Sequence, residues 1–148
     1  MRADRAKSAR VEVAVKVQRG AYAASVVRAA ARRWVREDVS IALVSDREIR
    51  SLNRRWRGKD RPTDVLSFPL EEPAALGDVV ISIETARRQA SEGGWPLAVE
   101  LRRLLAHGIL HCRGYGHDAP AEARRMAAAE RRLLGFEGMV GCSLSDPR

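Results

Sequence analysis

Glu100-Leu-Arg-Arg-Leu-Leu-Ala-His107-Gly-Ile-Leu-His111-Cys-Arg-Gly114-Tyr-Gly-His117 holds all three histidines of a 148-residue chain, and its reading decides the architecture. Leu101, Leu104, Leu105 and Leu110 recur at helical spacing, so Glu100 to Cys112 reads as a helix with one apolar face. On that helix His107 and His111 stand one turn apart on a common face, with Cβ atoms about 5–6 Å from each other. Gly114 can take the positive φ that ends a helix, and the chain can then turn back to deliver His117 to the same point. A lone histidine on an apolar helix is ordinarily a core or surface residue. Three at HxxxHxxGxxH spacing, with no other histidine in the chain, read as ligands of one metal ion. Three nitrogens and an open fourth position are the donor set of a catalytic zinc, with Zn–N bonds of about 2.0–2.1 Å. Nickel or copper would accept the same imidazoles in vitro.

Around this segment the chain is long enough for one domain with a real core and too short for two ordinary ones. Arg2, Arg5, Lys7 and Arg10 make residues 1–10 a disordered basic lead, residues 11–135 carry the functional domain, and residues 136–148 read as an irregular tail. A formal charge of +8 points to a polyanionic partner, with RNA or DNA favoured over membrane. Two cysteines give no disulfide framework, and no secretory or membrane-spanning run is present, so a reduced, cytoplasmic protein is expected. Cys112 follows His111 directly, which turns it about 100° away around a helix, so it reads as a packed thiol. Cys142 would reach a metal only if the tail folded back.

Val11, Val13, Val15 and Val17 alternate with Glu12 and Lys16, which predicts a half-buried strand over 11–17. A helix is expected over Ala21–Glu37 and a second strand over Val39–Val44. Ser45-Asp46-Arg47-Glu48 is a capping box, in which Ser45 caps and Glu48 reaches back, opening a helix to about Arg57 that Gly58 stops. Val65–Leu70 and Asp78–Ile83 read as two more strands flanking an acidic, Pro-containing loop. Helices follow: one to about Glu92, a Gly93-Gly94 break, the ligand helix from about Leu97, and a last helix from Pro120 to Leu134. The fold class is therefore α+β, a single domain with a mixed four-stranded sheet packed with helices. Trp34, Trp56 and Trp95 read as packing residues, and Arg124, Arg125, Arg131 and Arg132 as a solvated face.

The second informative stretch is Leu52-Asn-Arg-Arg-Trp-Arg57-Gly-Lys59-Asp-Arg61-Pro-Thr-Asp64-Val-Leu-Ser-Phe-Pro69. Arg57, Lys59 and Arg61, at a helix end and in a loop, form a donor cluster suited to phosphate. From Ile41 to Leu134 the chain resembles the YbeY endoribonucleases, bacterial rRNA maturation factors. The resemblance runs through Asp46 to Asn53, Arg57 to Pro69, Leu76 to Ser82, His107 to His111, Gly114-Tyr115 and the Met126 to Glu130 helix. It implies a zincin-like fold, one zinc ion on His107, His111 and His117, and an activity-bearing arginine at Arg57. It also implies 16S rRNA 3′-end maturation and ribosome quality control, with the small ribosomal subunit, a ribosomal protein and a ribosome-assembly GTPase as partners. Two departures stand out. The family's usual Gly-Tyr-Asp-His is Gly114-Tyr115-Gly116-His117 here, with an acid only afterwards at Asp118, and a usual tyrosine is Trp56.

These residues point to metal-assisted cleavage of single-stranded RNA, with zinc activating water or polarising a phosphoryl oxygen and Arg57 stabilising charge on phosphate. His111 and Arg57 are the expected catalytic residues. Asp64, Asp78 and Asp118 are candidates for general base or for orienting an imidazole; alternatively the RNA 2′-OH attacks. Two rivals stand beside this. A zinc metalloprotease shares the ligand spacing, but Gly108 occupies the position of its glutamate base. A non-catalytic RNA-binding ribosome assembly factor would hold a structural zinc closed by a fourth ligand, such as Cys142.

Overall fold

The computed structural model describes residues 9–73 and 75–140; most of the basic lead and the tail beyond Val140, Cys142 included, lie outside the described residues. Strands β1 (Val11–Val15), β2 (Asp38–Val44), β3 (Val65–Glu72) and β4 (Ala75–Ser82) form one sheet in the order β1-β2-β4-β3. β1 and β4 both run parallel to β2, while β3 pairs antiparallel to β4, so the sheet is mixed. Five helices accompany it: α1 (Ala21–Trp34), α2 (Asp46–Arg57), α3 (Ile83–Gly93), α4 (Leu97–Cys112) and α5 (Pro120–Val140), the last broken at Gly135. The α+β single domain expected from the sequence is what forms.

Alternation along the strands divides the sheet into two faces. Val39, Ile41, Leu43, Val79 and Ile81 point into the main core with α1 residues Val27 and Ala31 and α4 residues Leu101, Leu105 and Ile109. Val44, Leu66 and Val80 face the other way and meet Ile49 of α2 in a second, smaller core. Because α2 covers only part of that face, a groove of about 630 Å³ remains, lined by Trp56, Leu52, Phe68, Ala42 and Asp78 among others.

Several boundaries differ from the sequence reading for identifiable reasons. β1 stops at Val15, although Lys16 still donates its N–H to the Leu43 carbonyl at 2.9 Å. α1 stops at Trp34 because Val35 turns extended, and Arg113 donates to the exposed Trp34 carbonyl at 2.9 Å. The expected acidic loop is mostly strand: β3 continues to Glu72, past Pro69, which an edge strand tolerates. At the chain's far end α5 breaks at Gly135, directly after the expected end at Leu134, and helical backbone resumes from there to Val140. Ser45 caps α2 by accepting from the Glu48 N–H at 3.2 Å, but the Glu48 carboxylate does not reach back; it faces the Lys16 ammonium at 3.4 Å.

Two features seat the ligand helix α4. Near its start Glu100 is 0 % exposed. Its carboxylate accepts from Gln89 at 2.7 Å, the Trp95 indole at 2.9 Å, and Arg103 Nε and Nη2 at 3.1 and 2.7 Å. A buried carboxylate is tolerable only with such saturation, and this one ties α3 and the connecting turn to α4. Near the other end, Gly108 lies so close to the sheet that a Cβ there would stand 2.6 Å from Val79 Cγ1 and 3.3 Å from Ser67 Oγ. Ser67 uses that closeness to donate its hydroxyl to the Gly108 carbonyl at 3.1 Å.

Glu100→Ala should therefore cost about 3–5 kcal/mol in chemical denaturation, since it strands the partners of a buried charge. Gly108→Ala should cost about 1–3 kcal/mol through overpacking. Adding Val79→Ala to it should cost less than the two single changes summed; strict additivity would show that the contact does not limit the helix.

Candidate metal centre

α4 presents His107 and His111 from successive turns. Gly114, at φ +93°, then reverses the chain, with the Tyr115 N–H on the Leu110 carbonyl at 3.0 Å. The reversal carries His117 back over the helix end. One nitrogen from each of the three histidines lies within 4.8 Å of the others. His107 Nε2 and His111 Nε2 are 3.0 Å apart, near the about 3.3 Å expected for two nitrogens on one tetrahedral zinc. Among the described residues this is the one group of three or more potential ligands so arranged. His107 and His111 are half-buried and His117 is exposed, so the cluster opens to solvent on the side of its third member.

Protonation states suit a cation. Glu130, on α5, sits 3.0 Å from His107 Nδ1. A carboxylate accepts, so Nδ1 carries the proton and Nε2 offers its lone pair toward the other two histidines. Burial pushes His111 down to about 4, and the neighbouring His107, His117 and Arg57 push the same way against a backbone hydrogen bond with Tyr115. His111 is thus held neutral, the form that binds metal.

Arg57, at the end of α2, adds the smallest of these influences on His111. α2 ends there in a Gly58 cap at φ 70°, whose N–H returns to Arg54 while Lys59 N–H bonds the Asn53 carbonyl at 3.3 Å. The buried Asn53 amide also donates to the Arg61 carbonyl at 2.9 Å, so a core residue fixes the loop carrying Lys59 and Arg61. All three cations are exposed.

The expected acids are placed differently. Asp64 is engaged by the Val65 N–H at 2.8 Å and by Gln89 at 3.4 Å, in a strand-entry turn. Asp78 lines the groove on the sheet's other face opposite Phe68, and its charge acts on Cys112. Asp118 is exposed in the turn after His117 and makes no hydrogen bond to an imidazole among the described residues. The carboxylate that orients an imidazole is Glu130, which sequence spacing could not single out because α5 must first pack back on α4. Its one signal was its place in the Met126 to Glu130 stretch. Cys112 stands outside the ligand group as the packed thiol expected, half-buried and pushed up to about 11 by burial and then by Asp78. Trp34 and Trp95 pack as expected, but Trp56 is 61 % exposed, with Arg55 over its ring at 5.3 Å and Phe68 edge-on at 6.3 Å.

A histidine whose folded pKa is depressed destabilises the fold once the unfolded chain can take up the proton. Metal-free protein should therefore lose stability as pH falls from 6.5 towards 4, the two values for His111. Denaturant melts of chelator-treated wild type and His111→Asn across this window should show a smaller pH slope for the variant.

A family model described as Endoribonuclease YbeY matches residues 5–136. Endoribonuclease YbeY of Anaeromyxobacter dehalogenans is 53% identical over 139 residues, covering 87% of this chain and 72% of that protein. Its counterpart from Anaeromyxobacter sp. (strain Fw109-5) is 51% identical over 136 residues, covering 89% of this chain and 68% of that protein. The solution structure of TM1509 from Thermotoga maritima superposes with a TM-score of 0.59 at 26% identity, covering 93% of this chain and 99% of that one. The histidine cluster and the fold that holds it belong to a chain that is a member of the endoribonuclease YbeY family.

Proposed function

We propose that this protein is a zinc-dependent, single-strand-specific endoribonuclease of zincin-like fold acting in 16S rRNA 3′-end maturation and ribosome quality control. The observation that carries the metal-dependent chemistry is three converging imidazoles, open on one side. His107, His111 and His117 would hold the zinc ion, which would supply Lewis acidity toward a phosphoryl oxygen. Arg57 receives the phosphate and stabilises the charge that grows on it, while Lys59 and Arg61 extend the basic rim along the backbone. Glu130 holds His107 in the ligating tautomer. Exposed Trp56, directly before Arg57, offers an aromatic surface on which an unpaired base can stack. With Asp64 engaged by the Val65 N–H and Gln89, the attacking group is deprotonated by Asp78 in the groove that Trp56 also lines, by exposed Asp118, or within the RNA itself through its 2′-OH.

The partners that fit are single-stranded rRNA on the small ribosomal subunit, a ribosomal protein beside it and a ribosome-assembly GTPase, in the cytoplasm. Among the described residues no helix is long and apolar enough to cross a membrane. The protease alternative loses ground on a steric fact: at position 108, where its glutamate would stand, even a Cβ meets Val79 at 2.6 Å. A zinc closed by a fourth protein ligand finds no support in Cys112, which lies outside the cluster.

The test is cleavage of single-stranded RNA by zinc-loaded protein beside chelator-treated protein and His111→Ala purified identically. Cleavage should appear in the first sample alone, and Arg57→Ala should lower it by about 10²–10³-fold, as for loss of one donor to a developing oxyanion. Equal cleavage in every sample would mean a contaminating nuclease, and zinc-loaded protein that leaves both free RNA and small subunits intact would overturn the proposal.

A further inference from the structure

A second cavity lies away from both the sheet groove and the metal centre. It encloses about 360 Å³ between α1, α4 and α5, and its walls include Arg33 and Trp34, Val99 and Arg102, and Leu133 and Gly135. That volume falls within the about 300–1,000 Å³ of small-molecule sites, which combine apolar walls with a few placed polar groups. None of its described lining residues comes from the sheet, from α2 or from the loop with Lys59 and Arg61. Arg102 and His107 are five residues apart on α4, so they stand about 140° apart around the helix. The cavity is therefore on another flank of α4 from the histidines.

Its charged groups are all of one sign. Its described lining includes no acid, and neither Arg33 nor Arg102 makes a hydrogen bond or ion pair among the described residues. The next residue, Arg103, by contrast, is bound to the buried carboxylate of Glu100 at 2.7 Å. Arg33 is exposed and Arg102 half-buried, so α1 and α4 bring two available guanidiniums to the walls of one apolar cavity. Like charges beside a wall of low dielectric repel, and a bound anion relieves that repulsion. Trp34, packed on its inner side against the main core, adds an aromatic ring to the same walls.

We propose that this cavity is a nucleotide site. It takes a nucleoside monophosphate unit, free or within single-stranded RNA, with the base on the apolar wall beside Trp34 and the phosphate held by Arg33 and Arg102. Guanidinium groups recognise phosphate oxygens through paired charge-assisted hydrogen bonds, and aromatic rings accept any base by its face. Phosphate alone would leave the apolar wall bare, and a nucleoside alone would leave the two cations unanswered. The inference is independent of the ribonuclease reading, because no residue of the cavity belongs to the metal centre.

Calorimetric titration of adenosine 5′-monophosphate into chelator-treated full-length protein tests it. Arg33→Gln and Arg102→Gln should each weaken binding about 10-fold, the worth of one charge-assisted hydrogen bond, with melting curves as in wild type since neither residue has a partner to lose. Ala29→Trp, which fills the cavity from an exposed lining position and spares both arginines, should abolish binding. Adenosine and inorganic phosphate should each bind more weakly than the nucleotide, and Arg57→Ala should leave nucleotide binding unchanged. A short oligoadenylate distinguishes the two sources: equal weakening of oligomer and nucleotide in the arginine variants assigns the site to RNA, and weakening of the nucleotide alone assigns it to free nucleotide. Absence of nucleotide binding to wild type, binding indifferent to Arg33, Arg102 and Ala29, or binding lost in Arg57→Ala would overturn the proposal.

Discussion

The contact between the backbone of Gly108 and the side chain of Val79 sets the position of everything in the metal centre. A helix normally keeps a side-chain layer between its backbone and a sheet. Here that layer is absent for one residue, and α4 sinks until the Ser67 hydroxyl reaches the Gly108 carbonyl. His107 immediately precedes this point and His111 follows one turn later, so the depth of the helix determines where the imidazoles emerge. The saturated carboxylate of Glu100 fixes the other half of the same helix. Held at two points along its length, α4 offers little freedom to translate or roll, which is what a ligand pair needs if both nitrogens are to meet one ion.

The electrostatic demands on the site are opposed. A divalent cation favours negative surroundings, and a phosphate favours positive ones, yet the two must be bound side by side. The structure separates these demands by element. Helix α5, packed behind the histidines, brings the carboxylate of Glu130, while the end of α2 brings Arg57 and the loop with Lys59 and Arg61. Burial of His111 works with the first group by keeping the imidazole neutral. A chain with a net charge of +8 thereby keeps a carboxylate, that of Glu130, against the histidine cluster.

The sequence was most legible where function and periodicity coincide. Helical spacing placed His107 and His111 together, Gly114 marked the reversal, and alternation in β1 and β2 marked a sheet, because each depends on neighbours a few residues apart. Glu100 was opaque for the opposite reason. A glutamate near a helix start is usually solvated, and only the arrival of Gln89, Trp95 and Arg103 makes its burial tolerable. Trp56 misled in the reverse direction: α2 covers too little of the sheet to bury it, and an amphipathic pattern does not report how wide a neighbouring helix's footprint is. α1 ends where Val35 turns extended, and Arg113, a residue far along the chain, donates to the Trp34 carbonyl left there.

Two glycines in the ligand segment show how much a one-letter pattern conceals. Gly114 is there for its φ, as the sequence suggests. Gly108 is there because a strand occupies the space of its side chain. Only the first could be deduced from local backbone rules. The second turns an absent protease base into a packing requirement of the fold, and so excludes that base on grounds independent of chemistry.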